Sequence, residues 1–237
     1  MRRTMTIFAA VLIGSAAVAT TAAVAAEPAW DSLVEVNSRR MGNAFLLPGA
    51  DFRPYDSVML DEPEVSFRNN WLRDVNRNSR GAGRVNQSDA DRILATTATN
   101  TTDIFTAEFE RAGFKIATKP GPNVLRVRTG IVNLFVNAPD VASAGRSQTF
   151  TTNAGEATLV LEARDSMTNA LLGRVIDRRE TRGPGGGMTM QQTNRVTNTS
   201  EFRTLARRWA QISAGKLNDL KAASPVADPL TPGQRIQ

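Results

Sequence analysis

The side chains that could carry chemistry in this chain are carboxylates and guanidinium groups, because its 237 residues include neither cysteine nor histidine. Their absence excludes a disulfide, a Cys/His zinc site, a cysteine nucleophile and a Ser-His-Asp triad. Only four of the 29 cations are lysine, and the formal net charge is +6. Acid–base chemistry would therefore depend on Asp and Glu, and recognition on arginine pairing with anionic groups.

The densest group of charges is Asp177, Arg178, Arg179 and Glu180 at the end of a predicted strand. As a site, it would bind an anionic sugar or a partner's carboxylate in a bidentate manner. The alternative is that these charges line the solvent face of a hairpin, where ion pairs contribute about 0–1 kcal/mol. We favour the alternative and keep Asp177, Arg178 and Arg179 as interaction candidates.

Two pairs of acids have the composition that a glycosidase needs, which is two carboxylates across the scissile bond. Glu62 and Glu64 lie near a predicted strand, and Asp89 and Asp91 begin a predicted helix. Neither pair requires a catalytic explanation, so we expect a protein that is not an enzyme. A carboxylate-based hydrolase of envelope glycan is the alternative.

Cofactor, metal and nucleic-acid sites are not expected. The segment Asp89–Asp91 lacks the glycine and the distal glutamate of a calcium loop. The glycine-rich segment 182–187 lacks the Gly-Lys-Ser/Thr ending of a phosphate-binding loop. The arginines are spread along the chain, and the positive charge is modest for nucleic-acid binding.

The amino terminus has the pattern of a secretory signal peptide. Arg2 and Arg3 precede an apolar stretch over residues 7–19, which ends in the small-residue signature Ala23–Ala25. The stretch is short and weakly hydrophobic for a membrane span of about 20 residues. We predict that residues 1–26 are removed by cleavage after Ala25 or Ala26, giving a periplasmic or secreted protein. Without cysteine there is no diacylglycerol lipid anchor.

Two amphipathic helices are predicted by apolar residues at three- and four-residue steps. The first begins at a capping box formed by Ser88 and Asp91 and ends before Gly113, which fits a left-handed residue after a helix. The second begins at Asn198 or Ser200. The residues on its apolar face are Phe202, Leu205, Trp209, Leu217 and Leu220.

Alternation of apolar and polar residues predicts the strands. They cover residues 55–65, either at the sheet edge or broken at Pro63, then 114–118, 125–136 with a bulge near Gly130, 157–163 and 172–181. The fold class is α+β, a two-layer sandwich whose mixed, mostly antiparallel sheet of about 4–5 strands is covered by two helices. Residues 27–222 form one domain with an irregular lead-in over 27–53, and the proline-containing tail 223–237 is disordered.

The three tryptophans have different expected roles. Trp209 lies on the apolar helix face and is predicted to be core. Trp71, in a long exposed loop over residues 69–86, and Trp30, in the lead-in, are candidate interface anchors. For Trp71 we favour packing against the domain, and for Trp30 both roles stay open.

Several sequence blocks resemble a known family. They are Pro48–Leu60, Gly121–Arg128, Asn137–Asp140, Ser143–Arg146, Gly155–Glu162 and Leu172–Arg179. In order and content they resemble the bacterial domain-of-unknown-function 3313 family of exported envelope proteins. The turn Asp165–Asn169 departs from the family's Thr-Gly, and the cysteine of its lipoprotein members is missing. The resemblance implies no activity, and it adds Arg146 to the interaction candidates.

These observations predict an exported, non-enzymatic binding or assembly module of the bacterial envelope. Its expected partner is an envelope protein or glycan, with no nucleic acid, no cofactor and no transmembrane anchor after cleavage.

Overall fold

A computed structural model describes residues 32–77, 84–136, 149–151, 155–181, 191–193 and 195–235. The expected signal peptide, Trp30, Arg146 and the glycine-rich segment 182–187 lie outside these ranges. Among the helices in the described part of the chain, none is long and apolar enough to cross a membrane.

The described residues form three helices and ten strands. The helices are α1 (Trp71–Asn76), α2 (Gln87–Arg111) and α3 (Arg195–Ala223). The strands are β1 (Val34–Val36), β2 (Asn43–Leu46), β3 (Ser57–Leu60), β4 (Glu64–Phe67), β5 (Lys115–Ile116), β6 (Val124–Val136), β7 (Thr149–Thr151), β8 (Gly155–Asp165), β9 (Leu171–Thr181) and β10 (Gln191–Thr193). Helix α3 therefore begins earlier than its predicted cap at Asn198 or Ser200.

The main sheet has eight strands in the order β1-β2-β9-β8-β6-β3-β5, with β4 also paired to β6. Strands β3 and β4 run parallel to β6, and β5 runs parallel to β3. The pairs β1–β2, β2–β9, β6–β8 and β8–β9 are antiparallel, and β7 and β10 form a separate two-stranded sheet. The α+β class is confirmed, but the prediction of 4–5 strands is wrong, because the lead-in supplies β1 and β2 and the first predicted strand is two strands.

The break at Pro63 divides β3 from β4 along one side of β6. The backbone amide of Asp61 still donates to Val127, with a nitrogen–oxygen distance of 3.0 Å. Pairing resumes where Glu64 lies opposite Gly130. A proline cannot donate a backbone hydrogen bond to a neighbouring strand, so the strand is broken at Pro63, which was one of the two predicted arrangements.

The bulge in β6 lies at Asn133, not near Gly130 as predicted. Alternate residues stay buried through Ile131, and the next buried residue is Leu134. Between them Asn133 has φ 54°, and the register with β8 shifts between Val132 and Phe135. The sequence does not show the position of the bulge, because apolar residues after Gly130 occupy both faces of the strand and the alternation of apolar and polar residues is lost.

Helix α2 is capped at both ends by its own sequence. Its N-cap is Asn86, which exchanges hydrogen bonds with Asp89, so the predicted capping box lies two residues too late. After the helix Gly113 has φ 95°, as predicted for a left-handed residue. Its amide donates to Glu110 and the next amide donates to Phe109, which is the Schellman arrangement.

Helices α2 and α3 share one core cluster with the sheet. The core prediction for Trp209 is confirmed, since it is fully buried. Trp71 is also buried, on the short helix α1 inside what was predicted to be an exposed loop. Its ring stacks on Phe67 at 3.8 Å between centroids, and its indole nitrogen donates to the Val136 carbonyl at 3.1 Å. Trp71 is therefore packed within the domain and is not an exposed anchor.

The prediction of a disordered tail is wrong for residues 224–235. Val226 and Leu230 are buried, and the Val226 amide donates to Ala50 at 2.8 Å. Further along, the amide of Gly233 donates to Glu35 in β1 at 2.9 Å. Prolines exclude regular structure here, but they do not prevent two apolar side chains four residues apart from docking.

Candidate functional site: a charged cleft beside helix α3

A polar cleft of about 570 Å³ lies between the end of β9 and the amino-terminal half of α3. Its volume falls within the range of roughly 300–1,000 Å³ that is usual for ligand sites. The lining residues are Glu156, Arg178, Arg179, Glu180, Glu201, Thr204, Leu205 and Arg208. We call these residues the charged cleft. Two of the predicted interaction candidates, Arg178 and Arg179, belong to it.

On the sheet side, Arg178 pairs with Glu156 of the neighbouring strand at 2.7 Å between Nη2 and Oε2. The hydrogen bond and the charge of that carboxylate raise the pKa of Arg178 above its usual value. The Arg178 side chain is 70% exposed, so the pair contributes little to stability. Its guanidinium can therefore be shared with, or transferred to, an incoming carboxylate at small cost.

Asp177 lies on the opposite side of β9 from Arg178 and is buried. Its Oδ2 accepts from the indole nitrogen of Trp209 at 2.6 Å and from Arg179, and its Oδ1 accepts from the Gly42 amide at 2.9 Å. This corrects the expectation that Asp177 faces solvent. The carboxylate joins three elements of the fold and is not available to a ligand.

Arg179 is held at the edge of the charged cleft by two contacts. Its Nε donates to Asp177, and its Nη2 donates to the backbone carbonyl of Arg40. With the side chain fixed in this way, Arg179 presents a positive charge of defined position. Arg178 and Arg179 thus differ in kind, since the first is exposed and the second is anchored.

The helix side of the charged cleft was missed by sequence reasoning. Glu201, Thr204 and Arg208 recur at three- and four-residue steps, so they share one stripe of α3. Arg208 is exposed and makes no ion pair within the described ranges. Its neighbour Arg207 points elsewhere, towards Glu108 of α2 at 3.8 Å. The polar stripe could have been found by applying the helical period to charges as well as to apolar residues.

The acid pairs considered from sequence do not line the charged cleft. Glu64 pairs with Arg128 at 3.2 Å, and Asp89 serves the N-cap of α2. The carboxylates that do line the charged cleft are Glu156, Glu180 and Glu201, and Glu201 is only 7% exposed. In the described part of the chain, no group of three or more Asp and Glu residues is placed to hold a metal ion.

The sequence matches the family model DUF3313, a protein family of unknown function, over residues 24–212. The chain belongs to the DUF3313 family. The resemblance seen in its sequence blocks is thereby confirmed, and the match includes every residue of the charged cleft. No curated protein matches the chain.

Solved structures that match this DUF3313 protein share little sequence with it. The PelC dodecamer from Paraburkholderia phytofirmans is 12% identical, with 70% of this chain and 98% of that chain covered and a TM-score of 0.30. Protein XCC0632 from Xanthomonas campestris is 11% identical, with 77% and 89% covered and a TM-score of 0.38. A putative neuraminyllactose-binding hemagglutinin homolog from Helicobacter pylori is 11% identical, with 74% and 96% covered and a TM-score of 0.32. Likenesses at these scores carry no conclusion about function.

Proposed function

We propose that this DUF3313 protein is an exported, non-enzymatic binding or assembly module of the bacterial envelope, and that its charged cleft holds a carboxylate-bearing partner. Export is supported by the signal-peptide pattern of residues 1–26. Binding is supported by a concave, polar surface whose arginines come from two different elements.

The observation that carries the proposal is that Arg178 of β9 and Arg208 of α3 both line the charged cleft. Arg208 is exposed with no ion pair in the described ranges, and Arg178 has only a surface pair. A guanidinium presents a planar fork of donors that matches a carboxylate. Two such groups lining one cleft provide a site for an anionic group.

The glutamates limit which anions fit. Among the described residues, the lining contains three arginines and three glutamates, so their formal charges balance. A polyanion would meet repulsion from Glu156, Glu180 and Glu201, whereas an isolated carboxylate next to neutral or cationic groups would not. The charged cleft is thus suited to an envelope protein or glycan with well-separated carboxylates, and it is poorly suited to nucleic acid.

Affinity capture from envelope extract tests the proposal, with wild type, Arg208→Glu and Arg207→Glu as baits. The two variants carry the same charge change on adjacent exposed residues of α3, but only Arg208 lines the charged cleft. We expect one set of partners with wild type and with Arg207→Glu, and its loss with Arg208→Glu. Recovery of the same partners with all three baits would rule out the charged cleft as the binding site.

The second candidate function is a carboxylate-based glycan hydrolase, which the buried carboxylate of Glu201 in a polar cleft favours. Glycosidases need an acid and a second carboxylate on opposite sides of the scissile bond. Incubation with peptidoglycan and with uronic-acid oligosaccharides, followed by measurement of new reducing ends, separates the two functions. Under our proposal, wild type and Glu201→Gln release equal background amounts. Release by wild type that Glu201→Gln abolishes would establish the hydrolase.

A further inference from the structure

A second concavity lies further along α3, on the helix side of the sheet. It has a volume of about 110 Å³, and we call it the apolar cavity. Its sheet-side floor contains three residues with little or no side chain, Ala44 of β2, Ala163 of β8 and Gly173 of β9. Gly173 lies directly between Leu46 and Ala163 in the pairing register. Ala44 and Ala163 leave space above the sheet, whereas Leu46 covers Gly173, because its Cδ2 lies 2.9 Å from where a Cβ on Gly173 would lie.

The walls of the apolar cavity are large buried side chains. They include Phe52, Phe109, Leu125, Leu161 and Leu217. The exposed lining residues Asn37 and Asp219 mark where the cavity meets solvent. An engineered apolar cavity of about 150 Å³ stays dry and binds benzene, so a void of this size and lining suits an apolar group comparable to one aromatic ring.

Among the described residues, the polar members of this lining are Asn37, Ser38, Arg174, Ser213, Lys216 and Asp219. Ser213 of α3 lines the apolar cavity, and its hydroxyl oxygen is buried with no hydrogen-bond partner among the residues that the structure describes. A serine in a helix commonly donates to the carbonyl four residues earlier, but this one does not. Leaving a buried hydroxyl unsatisfied is unfavourable, so the group is available to a ligand atom.

We infer that the apolar cavity is a binding site for a small molecule with one compact apolar ring and one hydroxyl group, a phenol-like ligand whose hydroxyl pairs with Ser213. The ring packs against the apolar side chains that make up most of the lining. The hydroxyl supplies the hydrogen bond that the protein lacks. The site is separate from the charged cleft, which uses earlier turns of the same helix.

The test compares phenol with benzene by ligand-observed NMR titration on the folded protein. The two probes share the ring and differ in the hydroxyl. Wild type is expected to bind both saturably and to bind phenol about 3–10-fold more tightly, which is the effect of one net hydrogen bond. Ser213→Ala should bind both probes equally. Ser200→Ala, on an exposed position of α3, should retain the phenol preference.

Filling the apolar cavity tests its location. Ala163→Leu and Ala44→Leu each place a larger side chain on the floor, from two different strands. Circular dichroism checks that each variant is folded, and one folded variant is sufficient for the test. Each should lose binding of both probes, and Arg208→Glu should lose neither. Failure of wild type to bind either probe would overturn the inference, as would binding that persists in a folded filling variant. A phenol preference that survives Ser213→Ala would overturn the role of its hydroxyl.

N-acetyl-tyrosinamide distinguishes a free ligand from a tyrosine side chain of a partner. Phenol binding without binding of this amide supports a small-molecule site. Binding of the amide as tightly as phenol would overturn the small-molecule assignment in favour of a peptide side chain. The proposed function is tested separately, by partner capture with the Arg208→Glu variant. A failure of the probes to bind the apolar cavity is therefore distinguishable from a failure of the proposed function.

Discussion

The indole nitrogen of Trp209 donates to the buried carboxylate of Asp177 at 2.6 Å, and this bond ties α3 to the centre of β9. The other oxygen of Asp177 accepts from the amide of Gly42, just before β2. A side chain at position 42 would not fit, because its Cβ would lie 2.5 Å from the carbonyl oxygen of Ile176. One carboxylate therefore fixes the helix, a central strand and the lead-in together.

Trp209→Ala is expected to lower the free energy of unfolding by about 3–5 kcal/mol through lost burial and a cavity. Trp209→Phe keeps most of the ring but removes the donor to Asp177. It should cost about 1.5–3 kcal/mol, the usual value of a hydrogen bond to a charged group. Urea denaturation of both variants measures this, with Arg208→Ala on the exposed side of α3 as the control, expected within about 0.5 kcal/mol. A wild-type midpoint for Trp209→Ala would contradict the core assignment.

The burial of Asp177 shows where sequence reasoning stops. The run Asp177–Glu180 has no apolar residue, so alternation could not tell which of its members face the helix. The deciding partner, Trp209, lies 32 residues away and belongs to another element. The periodicity of α3 did predict that Trp209 is core, but a local pattern does not reveal which polar group a buried indole needs.

Long elements were predictable and short ones were not. Helix α2 and the hairpin β8–β9 extend over several periods of their patterns, so their existence followed from the sequence. Strands β1 and β2 have 3 and 4 residues, too few to show alternation, and β2 is defined by its pairing with β9. The charged cleft was found only in part for a related reason, since its two sides are far apart in the chain.

Removal of residues 224–237 is expected to destabilise the protein. It deletes Val226 and Leu230 from the core, each contributing about 1.5–3 kcal/mol by burial. It also removes the Ser224 hydroxyl that accepts from the Phe52 amide at 3.0 Å. Since about 1 kcal/mol shifts a domain of this size by roughly 2–4 °C, thermal denaturation should show a loss of at least about 6 °C.

Two point variants make the same test without truncation. Leu230→Ala should lower the melting temperature, whereas Thr231→Ala, at the exposed next position, should leave it within experimental error. An unchanged melting temperature for both the truncation and Leu230→Ala would show that the tail does not contribute to the core.

Gly155→Ala is expected to cost about 1–3 kcal/mol, because an added Cβ would overlap the carbonyl oxygen of Phe135. This close approach is part of the bulge at Asn133, which brings β6 against the first residue of β8. Gly130→Ala is the matched control on β6, since its nearest neighbour would be Val160 at 3.7 Å. Chemical denaturation should show that Gly155→Ala is less stable than Gly130→Ala. Equal stabilities would contradict the close contact at Gly155.

Glu162 should make the stability of the protein depend on acid pH. Burial alone would raise its pKa, but the hydrogen bond from Arg164 and the charges of Arg164 and Arg174 outweigh it, and the pKa lies below its usual value. The nitrogen Nε of Arg164 is 2.8 Å from Oε2 of Glu162, and both side chains are 9% exposed. A carboxylate whose pKa is lowered on folding stabilises the protein above its unfolded pKa of about 4.3, and this contribution is lost as the pH falls through the folded value.

Glu162→Gln tests this dependence by urea denaturation between about pH 7 and pH 3, a range that spans the unfolded glutamate pKa near 4.3. At neutral pH the variant should be less stable than wild type, because Arg164 and Arg174 lose their carboxylate partner. As the pH falls, protonation removes the same charge from wild type, so the difference should shrink. Glu64→Gln is the control, since the side chain of Glu64 is 80% exposed and its loss should produce little difference at any pH. A difference between Glu162→Gln and wild type that stays constant across this range would show that the ionised form of Glu162 does not stabilise the fold.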